Sequence, residues 1–460
     1  MLNLYNTLTK TKERLIPRHD KKVQIFVCGP TVYDFIHIGN ARTFVFFDVV
    51  AKYLRSQSYE VDYIQNITDI DDKIIARAKE AGHEPLEYAK EYYEKFKEDM
   101  KGLGVDSPRY IPATEHIEQI VKQVKTLIDK GHAYLIEGDG YYFDLSTFKN
   151  YGKLSGRTAL MADDAVTRID ENSKKKNKGD FCLWKLSKPG EPAWETELGK
   201  GRPGWHIEDT AITEHFFGPQ YDIHGGGQDL IFPHHEAEIT QQESASGKKP
   251  FVKYWMHVAF LVNKEQKMSK SIGNFETARK LLKKYPREVL RFYLLSSHYR
   301  SPLDYSDAMF NQSQAAISRI SEFNQKLNRV NGERDNHEAD ICLHDTKEKF
   351  SAAMDNDFNT PEAFGTLFEM IRTINPLLIE NKISKKQADE ILSFLKNIDA
   401  GLGIIPSEQQ KIPAEVQELV EQREKFRQDK NYDESDKIRA QIKDLGYDLE
   451  DTVYGPMVKN

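Results

Sequence analysis

The sequence predicts an α/β protein: a parallel sheet broken by an insertion, then a helical bundle and a small α+β C-terminal module. Three observations carry this reading. First, an apolar run, Val23–Val27, stops at Gly29-Pro30, and an amphipathic stretch, Ala41–Arg55, and a second strand-like run, Tyr59–Gln65, follow. Strand, helix and strand in that order form a βαβ-like unit. Second, the pattern lapses between Gly131 and about Pro203 and resumes at Tyr221-Asp222-Ile223-His224. Third, from about Ser306 onward the periodicity is helical.

Each element follows from local chemistry. Helices are expected at Asp71–Ala81, Leu86–Leu103 and Thr114–Lys130, the last with Thr114 as its cap and Gly131 after its end. Ala133–Ile136 and Tyr141–Leu145 flank Gly138-Asp139-Gly140, a hairpin signal. The short strand Tyr221–His224 is expected to end at Gly225-Gly226-Gly227, and a helix to open at Pro233. Tyr254–Val262 leads into the basic loop Asn263–Ser271. Ala308–Val330, Pro361–Ile379 and Lys385–Leu395 read as helices, and Ala414–Asn460 as two charged helices and a hairpin at Tyr447–Val458. The run Ser173-Lys174-Lys175-Lys176-Asn177-Lys178 is a solvated loop or a contact to a phosphate backbone.

Composition narrows the class. A chain of 460 residues, 39% hydrophobic and 30% charged, fits a globular protein of several domains. No apolar run is long enough for a bilayer, and Met1-Leu2-Asn3-Leu4-Tyr5 starts no signal peptide, so no membrane partner is expected. Cys28, Cys182 and Cys342 are scattered and odd in number, which argues for a reducing, cytoplasmic setting. With a net charge of −7, nucleic acid would have to be met by local basic patches.

The chemistry concentrates at one sheet edge. Cys28 stands at the carboxyl end of the first strand, where open α/β sheets bind ligands, and the following helix N-terminus favours an anion. The segment Asn66–Lys73 ends the second strand at the same edge. His234 and Glu238 are one helical turn apart. With Cys28 and Asp209 they form a legitimate zinc set. Equally, a cysteine after an apolar strand is ordinarily a small core residue, and a His/Glu pair a surface contact. The HExxH spacing of metalloproteases is absent.

His37-Ile38-Gly39-Asn40 resembles the HIGH motif of class I aminoacyl-tRNA synthetases, and Lys267-Met268-Ser269-Lys270-Ser271 matches their KMSKS motif in full. The surrounding text resembles the cysteinyl-tRNA synthetase family from end to end. Its strongest pieces are Phe26–Gly29, Asn66–Lys73, Gly201–Glu208, His224–Gly227, Phe232–Glu236 and Asp357–Glu362.

The resemblance implies a Rossmann-type catalytic domain in two halves, 1–115 and 204–250, around a connective insertion, 116–203. It further implies a stem-contact segment at 251–305, a helical anticodon-binding bundle at 306–405 and a C-terminal anticodon-recognition module at 406–460. The implied reaction joins L-cysteine to ATP, supplied as Mg-ATP, giving cysteinyl-adenylate. The acyl group then passes to the 3′-terminal adenosine of tRNA(Cys), releasing AMP. Residues implied for ATP are Gly29, His37, Gly39, Asn40 and Lys267, Met268, Ser269, Lys270 and Ser271, with His37, Asn40, Lys267 and Lys270 catalytic. Those implied for cysteine are Cys28, Gly29, Thr31, Thr68, Trp205 and Asp229, the last pairing with the ammonium group. One zinc ion on Cys28, Asp209, His234 and Glu238 would select a thiol over a hydroxyl, because thiolate is the softer ligand. A monomer is expected.

Two positions depart from the family pattern. Asp209 stands where a second cysteine is usual, keeping the charge but losing softness. Asn40 stands where the motif ends in His, and cannot carry a proton. Rival readings are an adenylate-forming cysteine ligase with a small amine acceptor, a non-catalytic tRNA-binding paralogue, and a metal-dependent hydrolase. The intact Lys267–Ser271 motif and the long helical C-terminal part disfavour all three.

Overall fold

The computed structural model describes residues 1–157, 172–263, 266–267, 276–406, 413–452 and 455–459. A five-stranded sheet carries the functional residues, and every neighbouring pair in it is parallel. Across it run Arg109–Pro112, Glu60–Ile67, Lys22–Val27, Tyr221–Gly227 and Val252–Val258. This is the doubly wound order, and it reverses between Lys22–Val27 and Tyr221–Gly227. The inner strands bury Ile25, Phe26, Val27, Ile64, Tyr221 and Ile223, as strands covered on both faces must.

The helix Ile38–Ser56 follows the first strand and buries Phe44, Val45, Phe47, Val50 and Leu54. It begins before Ala41 because His37 caps it. Thr114 does not cap the next long helix. A 3₁₀ turn, Ala113–His116, comes first, and Thr114 gives its N–H and hydroxyl to Asp69, at 3.0 and 2.5 Å. The helix proper is Ile117–Asp129.

Two other expectations are corrected. The strand at Tyr221 does not stop at His224 but runs through the glycines to Gly227. A β-carbon on Gly225 would lie 2.1 Å from the Phe47 ring, so that glycine admits the first helix against the strand instead of ending it. The helix expected at Pro233 starts later. Ile231–His235 is a single wide turn, and the regular helix is Glu236–Ser246.

Between the third and fourth strands of the parallel sheet, the chain builds a separate antiparallel sheet. Its strands are Ala133–Ile136, Gly140–Phe143, Cys182–Leu186 and Gly201–Pro203. The basic run folds back on it. Lys176 bonds Asp144 at 3.0 Å and lies over the Tyr134 ring, and Lys175 lies over Tyr142.

The chain forms two compact units, 1–310 with 353–361, and 311–352 with 362–460. Helices Asp307–Arg329, His337–Asp355, Thr360–Ile379 and Lys385–Leu402 follow the sheet in the chain. Ala414–Gln428, Tyr432–Asp444 and the hairpin Asp448–Thr452/Gly455–Lys459 enclose a small core of Val416, Ile438, Ile442 and Leu449. No helix among the described residues is long and apolar enough to cross a membrane.

Candidate active site

The carboxyl ends of Lys22–Val27 and Tyr221–Gly227 open on a cavity of about 420 Å³. Cys28, Gly29, Thr31, His37, Gly39, Asn40, Thr68, Trp205, Asp209, Asp229 and His234 all line it. The sheet explains this convergence, since the reversal of strand order leaves a crevice at this edge. Glu238 lies behind the wall, fully buried. Met268, Ser269, Lys270 and Ser271 fall outside the described residues. Lys267 is described for its backbone, which pairs with Val262.

At the rim, the His37 Nδ1 accepts from the N–H groups of Gly39, at 3.0 Å, and Asn40, at 3.3 Å. A β-carbon on Gly39 would come within 2.7 Å of that ring, so the glycine lets His37 fold over its own helix. A neutral His37 with Nδ1 accepting carries its proton on Nε2. The segment after the Met268–Ser271 stretch is tied to this motif. Ile38 N–H donates to Glu276 O at 2.9 Å, and Ala278 N–H to Ile36 O at 3.1 Å. Arg42, 1% exposed, donates to four carbonyls, those of Ala259, Phe260, His298 and Ser301.

The floor is a buried cluster. His234 Nε2 lies 2.9 Å from both Asp209 Oδ2 and Glu238 Oε1. Cys28 Sγ is 3.4 Å from Asp209 Oδ2, 3.7 Å from Glu238 Oε1 and 3.0 Å from His235 Nε2. The ligand atoms of Cys28, His234, His235 and Glu238 all lie within 4.8 Å of one another, a group that could hold a metal ion. Asp209 is therefore against this group, and His235 is a member that sequence reasoning missed. The doubled His234-His235 was the available signal.

Further histidines brace the cluster. His257 joins Thr7 Oγ1 to His235 Nδ1, both at 2.8 Å, and His235 in turn reaches Cys28. His224 links the Tyr221 hydroxyl, at 2.7 Å, to Cys28, at 3.4 Å. His206 and His234 meet through their Nδ1 atoms in a hydrogen bond of 2.7 Å. The Trp205 ring stacks on His234. Glu208 was missed as well. It takes hydrogen bonds from the Thr68 hydroxyl and the Asn66 amide, and Asn66 Oδ1 holds the Gly29 N–H at 2.6 Å.

Electrostatics mark this floor as short of positive charge. Burial pushes the Cys28 thiol well up, and Glu238 and Asp209 push it further. Burial raises Glu238 to about 8, against the pull of His234. Burial alone would lower His234, but Glu238 and Asp209 hold it up at about 10. Burial keeps His206, His224 and His235 neutral, and His257 down at about 3. Glu238 Oε2 lies 3.4 Å from His224 Nε2, and Asp209 Oδ1 is buried without a hydrogen-bond donor among the described residues. Such an oxygen is costly unless a cation meets it. The donor set of one thiol, imidazoles and two carboxylates fits a zinc-type ion.

Comparison with known proteins agrees with the geometry. Residues 14–315 match the family model described as tRNA synthetases class I (C) catalytic domain, and residues 349–406 the DALR domain. The cysteine–tRNA ligase of Carboxydothermus hydrogenoformans is 46% identical, covering 99% of both chains. That of Clostridioides difficile is 43% identical with the same coverage, and that of Thermococcus gammatolerans 43%, over 100% of this chain and 99% of its own. In fold, the chain is similar to the methionyl-tRNA synthetase of Mycobacterium tuberculosis in complex with methionyl-adenylate. The TM-score is 0.60 at 16% identity, over 83% of this chain and 88% of that one. It is likewise similar to an Agrobacterium radiobacter LeuRS in a ternary complex with tRNA and LeuAMS, with a TM-score of 0.62 at 10% identity and 84% of each chain. This chain belongs to the cysteine–tRNA ligase family of class I aminoacyl-tRNA synthetases.

Proposed function

We propose that the cavity activates L-cysteine with Mg-ATP and passes it to the 3′-terminal adenosine of tRNA(Cys). The observation that carries this is the pairing of a charge-starved donor cluster on the floor with a helix N-terminus on the rim. The floor suits a thiol and a metal, and the rim suits a phosphate.

On the rim, His37 offers its Nε2 proton and Asn40 its amide to the nucleotide, while Lys267 and Lys270 supply charge to the triphosphate. The carboxylate of cysteine attacks the α-phosphate, and pyrophosphate leaves. The work is mostly positioning and charge stabilisation. Thr68, held by Glu208, and Thr31, which pairs with it as an isolated β-bridge, shape the cysteine pocket. Asp229 takes the ammonium group, and Trp205 covers the side chain.

Cys28, Asp209, His234 and Glu238 would hold a zinc ion. Asp209 is preferred to His235 because Asp209 Oδ1 is buried without a donor among the described residues. When bound, the ion supplies a soft Lewis-acid partner for the substrate thiolate, which a serine hydroxyl cannot match. The remaining assignments are a connective insertion at 116–203, a stem-contact segment at 251–305, an anticodon bundle at 306–405 and a C-terminal module at 406–460. The enzyme is read as a cytoplasmic monomer.

The test is ATP–pyrophosphate exchange. Exchange is expected with cysteine and not with serine. Serine exchange at a similar rate would end the selectivity argument.

A further inference from the structure

His37 sits at the end of the connection between Lys22–Val27 and the helix Ile38–Ser56. On one side that connection is fixed to the second strand. Val32 N–H donates to Thr68 O at 3.1 Å, and Thr68 N–H to Pro30 O at 3.2 Å. On the other side it meets the residues that lead into a short helix, Ala278–Lys284. His37 and Thr277 form an isolated antiparallel bridge, closed by the Ile38–Glu276 and Ala278–Ile36 hydrogen bonds. One such bridge is a weak anchor, because each backbone hydrogen bond adds little net stability.

Arg279 supplies a stronger one. It crosses to the helix Pro85–Gly102. Its Nε donates to Asp99 Oδ1 at 2.7 Å, and its Nη2 to Glu98 Oε2 at 2.8 Å and to Lys95 O at 2.9 Å. The Asp99 side chain is 3% exposed, so that bond is shielded from water, whereas Glu98 is exposed and its pairing adds little. The guanidinium also lies 4.9 Å from the ring centre of Phe35, within cation–π reach. Phe35 stands two residues before His37 and packs on the same helix. The Tyr92 ring meets it edge-on at 5.6 Å, and the Lys95 ammonium lies 5.2 Å away. One side chain thus joins that helix, the residues ahead of His37 and the segment that bridges His37. Arg279 and Phe35 themselves stand outside the wall of the main cavity.

We infer that Arg279 is a positioning residue for adenylate formation, acting through Phe35 and the Thr277 bridge to hold His37 at the nucleotide rim. The inference rests on the cysteine–tRNA ligase reading above. The His37 ring is tied by Nδ1 to its own helix, so its Nε2 proton goes where the backbone of 36–38 places it. A reaction that runs on positioning is sensitive to displacements of about 0.5 Å. An ion pair that merely joined two helices would end at Asp99. This one continues, across the Phe35 ring, into the residues ahead of His37.

The experiment uses the full chain carrying Arg279→Gln or Phe35→Leu, each alone and each combined with His37→Ala. Arg279→Gln leaves the buried Asp99 carboxylate unpaired and so puts the fold at risk. Phe35→Leu keeps that ion pair and an apolar side chain, and removes only the ring. Cysteine-dependent ATP–pyrophosphate exchange is read as kcat and KM, beside thermal unfolding. Arg279→Gln should lower kcat about tenfold or more and Phe35→Leu about fivefold, with the cysteine KM held within about twofold. In the His37→Ala background each further loss should shrink below about twofold, because nothing is left to position. Losses that multiply in full with that of His37→Ala would overturn the proposal. So would an unchanged kcat in either single variant, or a cysteine KM that rises in step as kcat falls. If Arg279→Gln does not fold, Phe35→Leu decides on the same criteria. A wild-type protein without cysteine-dependent exchange would instead overturn the underlying reading.

Discussion

The floor of the active site and the C-terminal module handle buried charge in opposite ways. In the module, Arg423 is 3% exposed and forms a fork to Asp451, at 2.8 and 2.9 Å, which Arg427 also meets. Arg439 likewise donates to Leu449 O at 2.9 Å. The chain supplies both signs. On the floor it supplies two buried carboxylates and a thiol, surrounds them with histidines that burial keeps mostly neutral, and leaves Asp209 Oδ1 without a donor among the described residues. A site whose charge the protein has already matched is structure. A site whose charge it has left unmatched awaits a ligand.

Breaking the catalytic edge should therefore cost far more activity than breaking the module. The largest effect is expected for Lys270→Ala, which removes a charge we assign to the triphosphate. Pyrophosphate exchange should fall about 10²–10³-fold, with tRNA binding nearly intact. Unchanged exchange would show that the loop has another task. Asp209→Ala should follow, losing about 10²-fold or more in zinc affinity and raising the cysteine KM. Asp209→Cys should stay active and bind zinc more tightly, because sulfur is the softer donor. His235→Asn, which alters a bracing residue, should cost about tenfold in zinc affinity. If His235→Asn costs more than Asp209→Ala, the ligand set is Cys28, His234, His235 and Glu238.

Proton competition sharpens the same contrast. Cys28, whose thiol burial pushes well up, and His234, held up at about 10 beside Glu238 and Asp209, keep protons at neutral pH that a metal must displace. Lowering the pH restores those protons, so zinc affinity should fall about tenfold per pH unit for each proton released. Calorimetric titrations across about pH 6–8 would measure the slope, and a flat profile would mean that the metal binds elsewhere. In the module the expected effects are smaller and structural. Arg423→Ala should destabilise that module by about 1–3 kcal/mol, read by thermal unfolding, and leave cysteine activation untouched.

Much of the fold was legible because its signals are periodic. The run Val23–Val27 and the helix after it, and the late return of strand pattern at Tyr221, sufficed to place the parallel sheet and its interruption. Misreadings came where tertiary contact overrides local signal. Gly225 looked like a strand terminator, yet Phe47 packing is its reason. Thr114 looked like a cap, yet it serves Asp69. In the C-terminal module, the side chains of Arg423 and Arg439 are spent on internal bonds.

In the site, Cys28, His234 and Glu238 could be placed from a strand end and a helical spacing. The roles implied for Trp205, Asp229 and Asp209 depended on resemblance. His206, His224, His257 and Glu208 were not legible, because they act through side chains brought together only by the sheet.

We assign selection of the thiol to a metal held partly by Asp209. The direct measurement is zinc titration of the wild-type protein after dialysis into metal-free buffer, with cysteine-dependent exchange followed in parallel. Uptake of about one equivalent is expected, with exchange that rises with it, as for a site with three or four protein ligands. No zinc uptake alongside full cysteine activation would contradict it.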